Sequence, residues 1–200
     1  MTKTQLRRQI LKARQSISVT EWQEKSEQLC HHIQSSSLFT SSRTILAYFS
    51  FRQEPDLSSL FTTNHQWGFP RCVDKSLVWH RWQPGDDLEK NAYGIWEPRQ
   101  NAPEIVATEV DLILVPAVAC DRLGYRLGYG GGFYDRMLSQ PEWALISTVG
   151  IVFEFALLPE LPNEPWDRRL TWVCTENGLF LATGWRGDEF GGGRNSLNRD

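Results

Sequence analysis

Three apolar runs constrain the fold most. Arg43-Thr-Ile-Leu-Ala-Tyr-Phe49, Val110-Asp-Leu-Ile-Leu-Val-Pro116 and residues 145–152 are short and apolar at most positions. A strand with one wet face alternates apolar and polar residues. A nearly continuous run is buried on both faces, as in a parallel sheet between two layers of helix. Helical periodicity surrounds these runs. Leu6, Ile10, Leu11 and Ala13 mark an amphipathic helix over residues 3–16. Ser18-Val-Thr-Glu21 reads as a capping box with Ile17 and Trp22 as its staple, opening a second helix to about Gln34. Residues 35–42 read as a loop, and Pro55 opens a short helix to about Asn64. Gly68–Arg71 reads as a strand end and Leu77–Trp82 as a more exposed strand, while 84–103 is mostly loop. A helix over 131–140, a short one at Phe155–Leu158 and a last strand at Thr171–Cys174 complete the pattern. The alternation predicts an α/β three-layer sandwich with a mostly parallel central sheet flanked by helices, joined by right-handed crossovers. One domain is expected over 1–183. Residues 184–200, with five glycines, are expected to be a disordered tail.

The second apolar run leads to Gly124-Tyr-Arg-Leu-Gly-Tyr-Gly-Gly-Gly-Phe-Tyr-Asp-Arg136. Glycines let backbone N–H groups approach an anion closely, and a helix start adds donors. Arginine offers a planar fork to phosphate oxygens, and Asp135 can hold the magnesium that accompanies a nucleotide. The spacing matches neither the P-loop nor the dinucleotide fingerprint. A plain loop capping the next helix is the bland alternative, and the glycines alone do not decide. Arg126 on one side and Tyr134-Asp135-Arg136 on the other favour a magnesium–nucleotide site, because a loop built only to turn needs neither.

Composition bounds the partners. With 200 residues, 40% hydrophobic and 22% charged, the chain has an ordinary globular composition. A net charge of −3 argues against nucleic-acid binding through a broad basic surface. Arginine and tyrosine interleaved with glycine around 122–136 offer a nucleic-acid reading, but no stacking-platform motif accompanies them. No run approaches the length of a membrane span, and residues 1–8 lack a signal peptide's apolar core. Cys30, Cys72, Cys120 and Cys174 lie too far apart for a Cys-x-x-Cys pair and read as reduced thiols of a cytoplasmic protein. No histidine stands out as a general base. Several of the nine tryptophans are expected to line a pocket.

The order of signals along the chain carries a resemblance. Lys3-Thr-Gln-Leu-Arg7, Phe49-Ser-Phe-Arg-Gln-Glu54-Pro, Phe69-Pro-Arg71, Tyr93-Gly-Ile-Trp-Glu-Pro98, the glycine loop, and Pro162-Asn-Glu-Pro-Trp-Asp167 followed by Thr175-Glu176 resemble the 5-formyltetrahydrofolate cyclo-ligase family. The likeness runs from Lys3 to about Leu181. It implies a Rossmann-like fold and the conversion of 5-formyltetrahydrofolate to 5,10-methenyltetrahydrofolate, with ATP as co-substrate and Mg2+ as cofactor. Phosphorylation of the formyl oxygen would turn a poor leaving group into phosphate, so N10 can close the ring. The partners implied are 5-formyltetrahydrofolate and ATP, with no nucleic acid or membrane, and a monomer is expected.

The resemblance also assigns residues. Lys3 and Arg7 match the family's ATP-contacting basic pair, and Arg126, Leu127, Gly128, Tyr129, Gly130, Gly131, Gly132, Phe133 and Tyr134 match its phosphate loop. Tyr129 to Phe133 also border the folate in relatives. Arg126 and Asp135 are the catalytic candidates, and Asp135 and Asp167 match metal-side acids. Phe49, Glu54, Tyr93 and Trp96 fall on the folate side: a carboxylate can pair with pterin N–H donors, and aromatic rings can flank the flat ring system. For Tyr93 and Trp96, core packing is the alternative. Arg71 is expected to face the nucleotide or nearby acids.

Three departures stand out. Many relatives carry a basic residue where this loop has Tyr129 and Gly131, the familiar His-Asp pair is Trp166-Asp167, and a usual Asp is Thr171. The loop's positive charge must then come from Arg126, Lys3, Arg7 and the backbone. These departures motivate a second reading, a non-catalytic folate or nucleotide binder.

Overall fold

A computed structural model describes residues 1–182, so the expected tail at 184–200 lies outside the described residues. The chain opens with α1 (Lys3–Ser16), α2 (Val19–Gln34) and the single turn α3 (Ser37–Thr40). Strand β1 (Thr44–Leu46) and a 3-10 turn (Ser58–Thr62) lead to β2 (Gln66–Val73), β3 (Ser76–Arg81), β4 (Leu88–Lys90), β5 (Trp96–Pro98) and β6 (Glu104–Ile105). Next come β7 (Leu112–Pro116), β8 (Ala119–Asp121), β9 (Arg126–Leu127), α4 (Phe133–Leu138) and β10 (Ser147–Ile151). The last elements are β11 (Leu157–Leu158), β12 (Trp172–Thr175) and β13 (Gly178–Leu181).

The main sheet runs β13-β12-β10-β7-β1-β2-β3-β6. Its five inner strands are parallel, and β13, β3 and β6 pair antiparallel at the two edges. Alternate residues of β7 explain its apolar run. Leu112 and Leu114 enter one core with Leu29, Ile33 and Phe39, while Ile113 and Val115 enter another with Ile10, Met137 and Leu138. The expected three layers follow, with α2 and α3 on one face and α1 and α4 on the other. A small sheet, β11-β8-β9, packs beside α1 and α4.

Local details depart from the expectations. Thr2 and Gln5 form a capping box on α1 that the sequence reading overlooked. At α2 the Ser18 hydroxyl accepts from the Glu21 N–H at 3.1 Å, but Glu21 turns to Lys25 at 3.7 Å, and the Trp22 indole donates to the Glu54 carbonyl at 2.9 Å. Within 35–42, Ser36 caps α3, which carries buried Phe39 into the core. The short helices expected after Pro55 and at Phe155–Leu158 are 3-10 turns, the second followed by β11. Within 84–103, β4 and β5 form a hairpin. Strand β13 was not expected, although Asn177-Gly178 between two apolar runs is a hairpin signal.

Across the sheet the parallel strands read second, first, third, fourth, fifth in chain order, so the winding reverses between β1 and β7. In open α/β sheets the crevice beyond the carboxyl ends of such a strand pair is the favoured ligand site. The loop leaving β1 carries Phe49–Glu54, and the segment after β7 carries, beyond β8 and β9, the glycine run.

Candidate active site at the carboxyl end of the sheet

A cavity of about 1000 Å³ opens at that reversal. The candidates Lys3, Arg7, Phe49, Glu54, Tyr93, Trp96, the loop Arg126–Tyr134, Asp135 and Asp167 all line it, whereas Arg71 does not. The chain thus gathers side chains more than a hundred residues apart onto one wall.

The glycine loop forms one side. Gly130 and Gly132 adopt φ of 106° and 67°, a region side chains resist, and Gly132 caps α4. That helix has six residues rather than the ten expected, so side chains supply most of the positive charge. Arg7 Nε donates to the Gly128 carbonyl at 2.7 Å. Arg126, with its side chain 4% exposed, pairs with Asp135 at 2.8 Å and lies over the Tyr134 ring at 5.4 Å. Its Nε and the Tyr134 hydroxyl are buried without hydrogen-bond partners. Arg136 was not assigned from the sequence. It anchors through Nε to the Lys75 carbonyl, and its Nη1 would lie 2.7 Å from a Cβ at Gly132. Arg136 therefore places a guanidinium from α4 beside Gly132, in addition to Arg126.

The two candidate metal-side acids are both ion-paired, Asp135 with Arg126 and Asp167 with Lys3 at 2.5 Å. No group of three or more potential metal ligands occurs among the described residues. Magnesium commonly uses one or two carboxylates and completes its shell with water and phosphate oxygens. Asp135 and Asp167 fit an ion that arrives with a nucleotide.

The opposite side is built on a strained turn. Arg52 and Gln53 have φ of 50° and 56°, each costing on the order of 1–3 kcal/mol in a non-glycine residue. The turn brings the Glu54 carboxyl, 4% exposed, back to the Phe51 N–H at 3.1 Å. Burial pushes this carboxyl up to about 7, against opposing effects of the Arg14 charge, the Phe51 amide and the Tyr129 hydroxyl. Glu54 is thus poised to change charge near neutrality. Phe49 stacks on Phe69 at 4.1 Å and meets Trp82 edge-on, so its ring firms the wall. Tyr129 leaves the glycine loop toward this side, where Arg14 donates to its hydroxyl.

The hairpin of β4 and β5 overhangs the cavity. Tyr93 is 64% and Trp96 47% exposed, which excludes core packing for both rings. Lys90 Nζ lies 4.7 Å over Trp96. Buried Glu97 holds the hairpin, accepting from Asn91 at 2.6 Å and from the Cys72 N–H at 2.9 Å. Arg71 pairs with Glu89 at 2.6 Å, as its expected acidic surroundings implied.

Asp121, missed in the sequence, positions the approach to the glycine loop and the segment leading to Asp167. Fully buried at the end of β8, it accepts from the Leu123, Tyr125 and Leu161 N–H groups, each at 2.9 Å. One carboxylate therefore fixes the approach to Arg126 and the segment leading to Asp167. Asp121→Asn sets an amide donor against the Leu161 N–H. We expect about 2–3 kcal/mol of destabilisation, read as a lower urea midpoint at unchanged m-value. A midpoint equal to wild type would show that the bond from Leu161 contributes little.

The remaining candidates have structural roles or sit at the rim. None of the four histidines lines the cavity, and the buried ring of His80 bonds the Ala102 carbonyl at 2.7 Å. Burial pushes the Cys30 and Cys72 thiols up to about 11 and Cys120 to about 12, and all four cysteines are free. Thr171, just before β12, bonds Thr148 of β10. Trp166 is 65% exposed at the cavity's edge.

Comparison with known proteins agrees with this geometry. Residues 1–176 match the model of the 5-formyltetrahydrofolate cyclo-ligase family. A 5-formyltetrahydrofolate cyclo-ligase of Mycolicibacterium smegmatis is 34% identical over 192 residues, covering 90% of this chain and 97% of that one. The Haemophilus influenzae enzyme of the same name is 30% identical over 171 residues, 82% and 91% of the two chains. The NMR structure of Aquifex aeolicus 5,10-methenyltetrahydrofolate synthetase superposes with a TM-score of 0.81 at 30% identity, over 93% of this chain and 95% of that one. The match to the family model over most of the chain, with a solved relative sharing both the fold and nearly a third of the residues, places this protein in the 5-formyltetrahydrofolate cyclo-ligase family.

Proposed function

We propose that this protein converts 5-formyltetrahydrofolate and ATP to 5,10-methenyltetrahydrofolate, ADP and phosphate, as a cytoplasmic monomer with its activity contained in residues 1–183. The observation that carries the reading is the cavity at β1 and β7. It sets a glycine loop ringed by Lys3, Arg7, Arg126 and Arg136 against a wall holding Glu54. The loop takes the triphosphate, and Glu54 with Tyr93 and Trp96 takes the folate ring system.

The chemistry is phosphoryl transfer followed by ring closure. The formyl oxygen attacks the γ-phosphorus and ADP leaves, giving an imino-phosphate. N10 then attacks the formyl carbon, the C–O bond breaks, and phosphate departs with the N10 proton. A phosphoryl transfer of this kind needs alignment and charge neutralisation more than a tuned base. Arg126 is placed to neutralise charge on the transferred group, and Arg7 braces the loop at Gly128. Magnesium, held by Asp135 and Asp167 when bound, would draw charge from the phosphate oxygens. Glu54 orients the pterin.

The test is absorbance in the methenyltetrahydrofolate band, with protein, MgATP and 5-formyltetrahydrofolate, each omitted in turn. A rise requiring all three is expected. No rise, with both ligands still bound, would establish the non-catalytic binder instead.

A further inference from the structure

Arg14 is the one charged side chain buried along α1, and the reaction just described makes no use of it. It is 2% exposed. Its Nε donates to the Arg52 carbonyl at 3.0 Å, and its Nη2 donates to the Tyr129 hydroxyl. One guanidinium therefore holds the strained turn before Glu54 and the aromatic residue of the glycine loop that faces the same wall. The contacts it makes are to a backbone oxygen and a hydroxyl, so its burial serves geometry.

Position along the helix supplies the second half of the argument. Lys3, Arg7, Ile10 and Arg14 fall on one face of α1 at steps of four, three and four residues. Lys3 reaches Asp167 and Arg7 reaches Gly128, both on the nucleotide side. Arg14 reaches Arg52 and Tyr129 on the substrate side. Ile10 is the single buried apolar residue of the helix. Leu6 and Leu11 pack partly buried against the same core, and polar contacts to three loops fix the helix along its length.

We propose that Arg14 is a positioning residue that sets the Arg52–Glu54 turn and Tyr129 for the substrate and, through α1, couples that wall to nucleotide contacts at Lys3 and Arg7. The inference rests on the functional reading above, because it takes the folate and the nucleotide as the two ligands. Coupling of this kind is reciprocal: nucleotide that seats α1 tightens folate binding, and folate tightens nucleotide binding by the same factor.

The groups facing Glu54 allow an independent readout. They are Arg14 from α1, Tyr48 beyond β1, Tyr129 from the glycine loop and Tyr134 from α4. Burial holds all three phenols well above their ordinary value, so near neutrality Arg14 is the charged member of the set. Its removal raises the Glu54 carboxyl further, and the acid limb of kcat/KM for folate moves to higher pH.

The experiment is calorimetric titration of 5-formyltetrahydrofolate with and without a saturating non-hydrolysable MgATP analogue. The wild-type protein is expected to bind folate about fivefold or more tightly with the analogue present. In Arg14→Met the ratio is expected within about twofold of one, while analogue affinity without folate stays within about threefold of wild type. Arg14→Lys, which keeps the charge and loses the fork, should restore the acid limb but only part of the coupling. Tyr129→Phe removes the partner hydroxyl without emptying a buried site, and it decides the matter if Arg14→Met does not fold. A wild-type ratio near one, or an unchanged ratio and pH profile in the variants, would overturn the proposal. No folate binding by the wild type would remove the functional reading and this inference together. Turnover with coupling untouched by the variants would remove this inference alone.

Discussion

Arg126→Met is expected to lower kcat for ring closure by about 10²–10³, with KM for ATP changed much less. The arginine side chain is 4% exposed and fixed by Asp135 at 2.8 Å and by the Tyr134 ring. A donor held rigidly by an ion pair and a ring needs little reorganisation when charge develops on the transferred phosphoryl group. That is why a single such group is worth orders of magnitude in rate. The fold should survive, since methionine fills most of the space and Asp135, 27% exposed, can be solvated. Asp135→Ala separates two roles for the acid. If it holds magnesium, activity falls and recovers in part as magnesium is raised. If it only orients Arg126, the loss is independent of magnesium. Full activity in Asp135→Ala at ordinary magnesium would remove the metal assignment, and a kcat within threefold of wild type in Arg126→Met would remove the catalytic one.

Glu54→Gln is expected to raise stability and destroy folate recognition together. The folded carboxyl sits at about 7 against an ordinary 4.5, chiefly because burial disfavours its charged form. A raised carboxyl value means that ionisation opposes folding. The cost is absent below the unfolded value of 4.5, grows between 4.5 and about 7, and is complete above that range. At about 1.4 kcal/mol per pKa unit it amounts to roughly 3 kcal/mol at pH 8. Glutamine keeps an oxygen for the Phe51 N–H and carries no charge. Its melting temperature should exceed wild type by about 5–10 °C at pH 8, with the gain shrinking toward zero at pH 4.5. The kcat/KM for folate should fall at least about 10²-fold, because an amide cannot pair as a carboxylate does with pterin N–H donors. An equal melting shift at both pH values, or none, would contradict the buried-charge account. On this account the native residue gives up stability for the charge proposed to hold the pterin.

How much of this was legible differs residue by residue. The inner strands could be read because burial on both faces leaves a continuous apolar run, and Leu112–Val115 shows both faces being used. The glycine loop could be read because its backbone demands are local: only glycine easily takes the φ of Gly130 and Gly132. Edge elements were harder. The strands of the β4–β5 hairpin are three residues long and half exposed, so neither periodicity nor apolar content marks them, while β13 is apolar but only four residues long. Arg14 was invisible because it stands among other cations on α1, and helix periodicity does not say which of them meets a protein wall. Arg136 was read as part of the motif that favours a nucleotide site, but its place beside Gly132 depends on how α4 turns back on the loop. Asp121 looks like an ordinary turn residue until Leu161, forty positions away, is found donating to it.

The sequence by itself determined what is local: element types, the glycine conformations, and the inventory of cations, acids and rings, with the family resemblance attached to them. Tertiary structure decided the winding reversal between β1 and β7, because strand order depends on pairings between distant segments. It also decided which cations surround the loop and how readily Glu54 ionises. Desolvation and nearby charge set a carboxyl's proton affinity, and both come from residues brought together only when the chain folds.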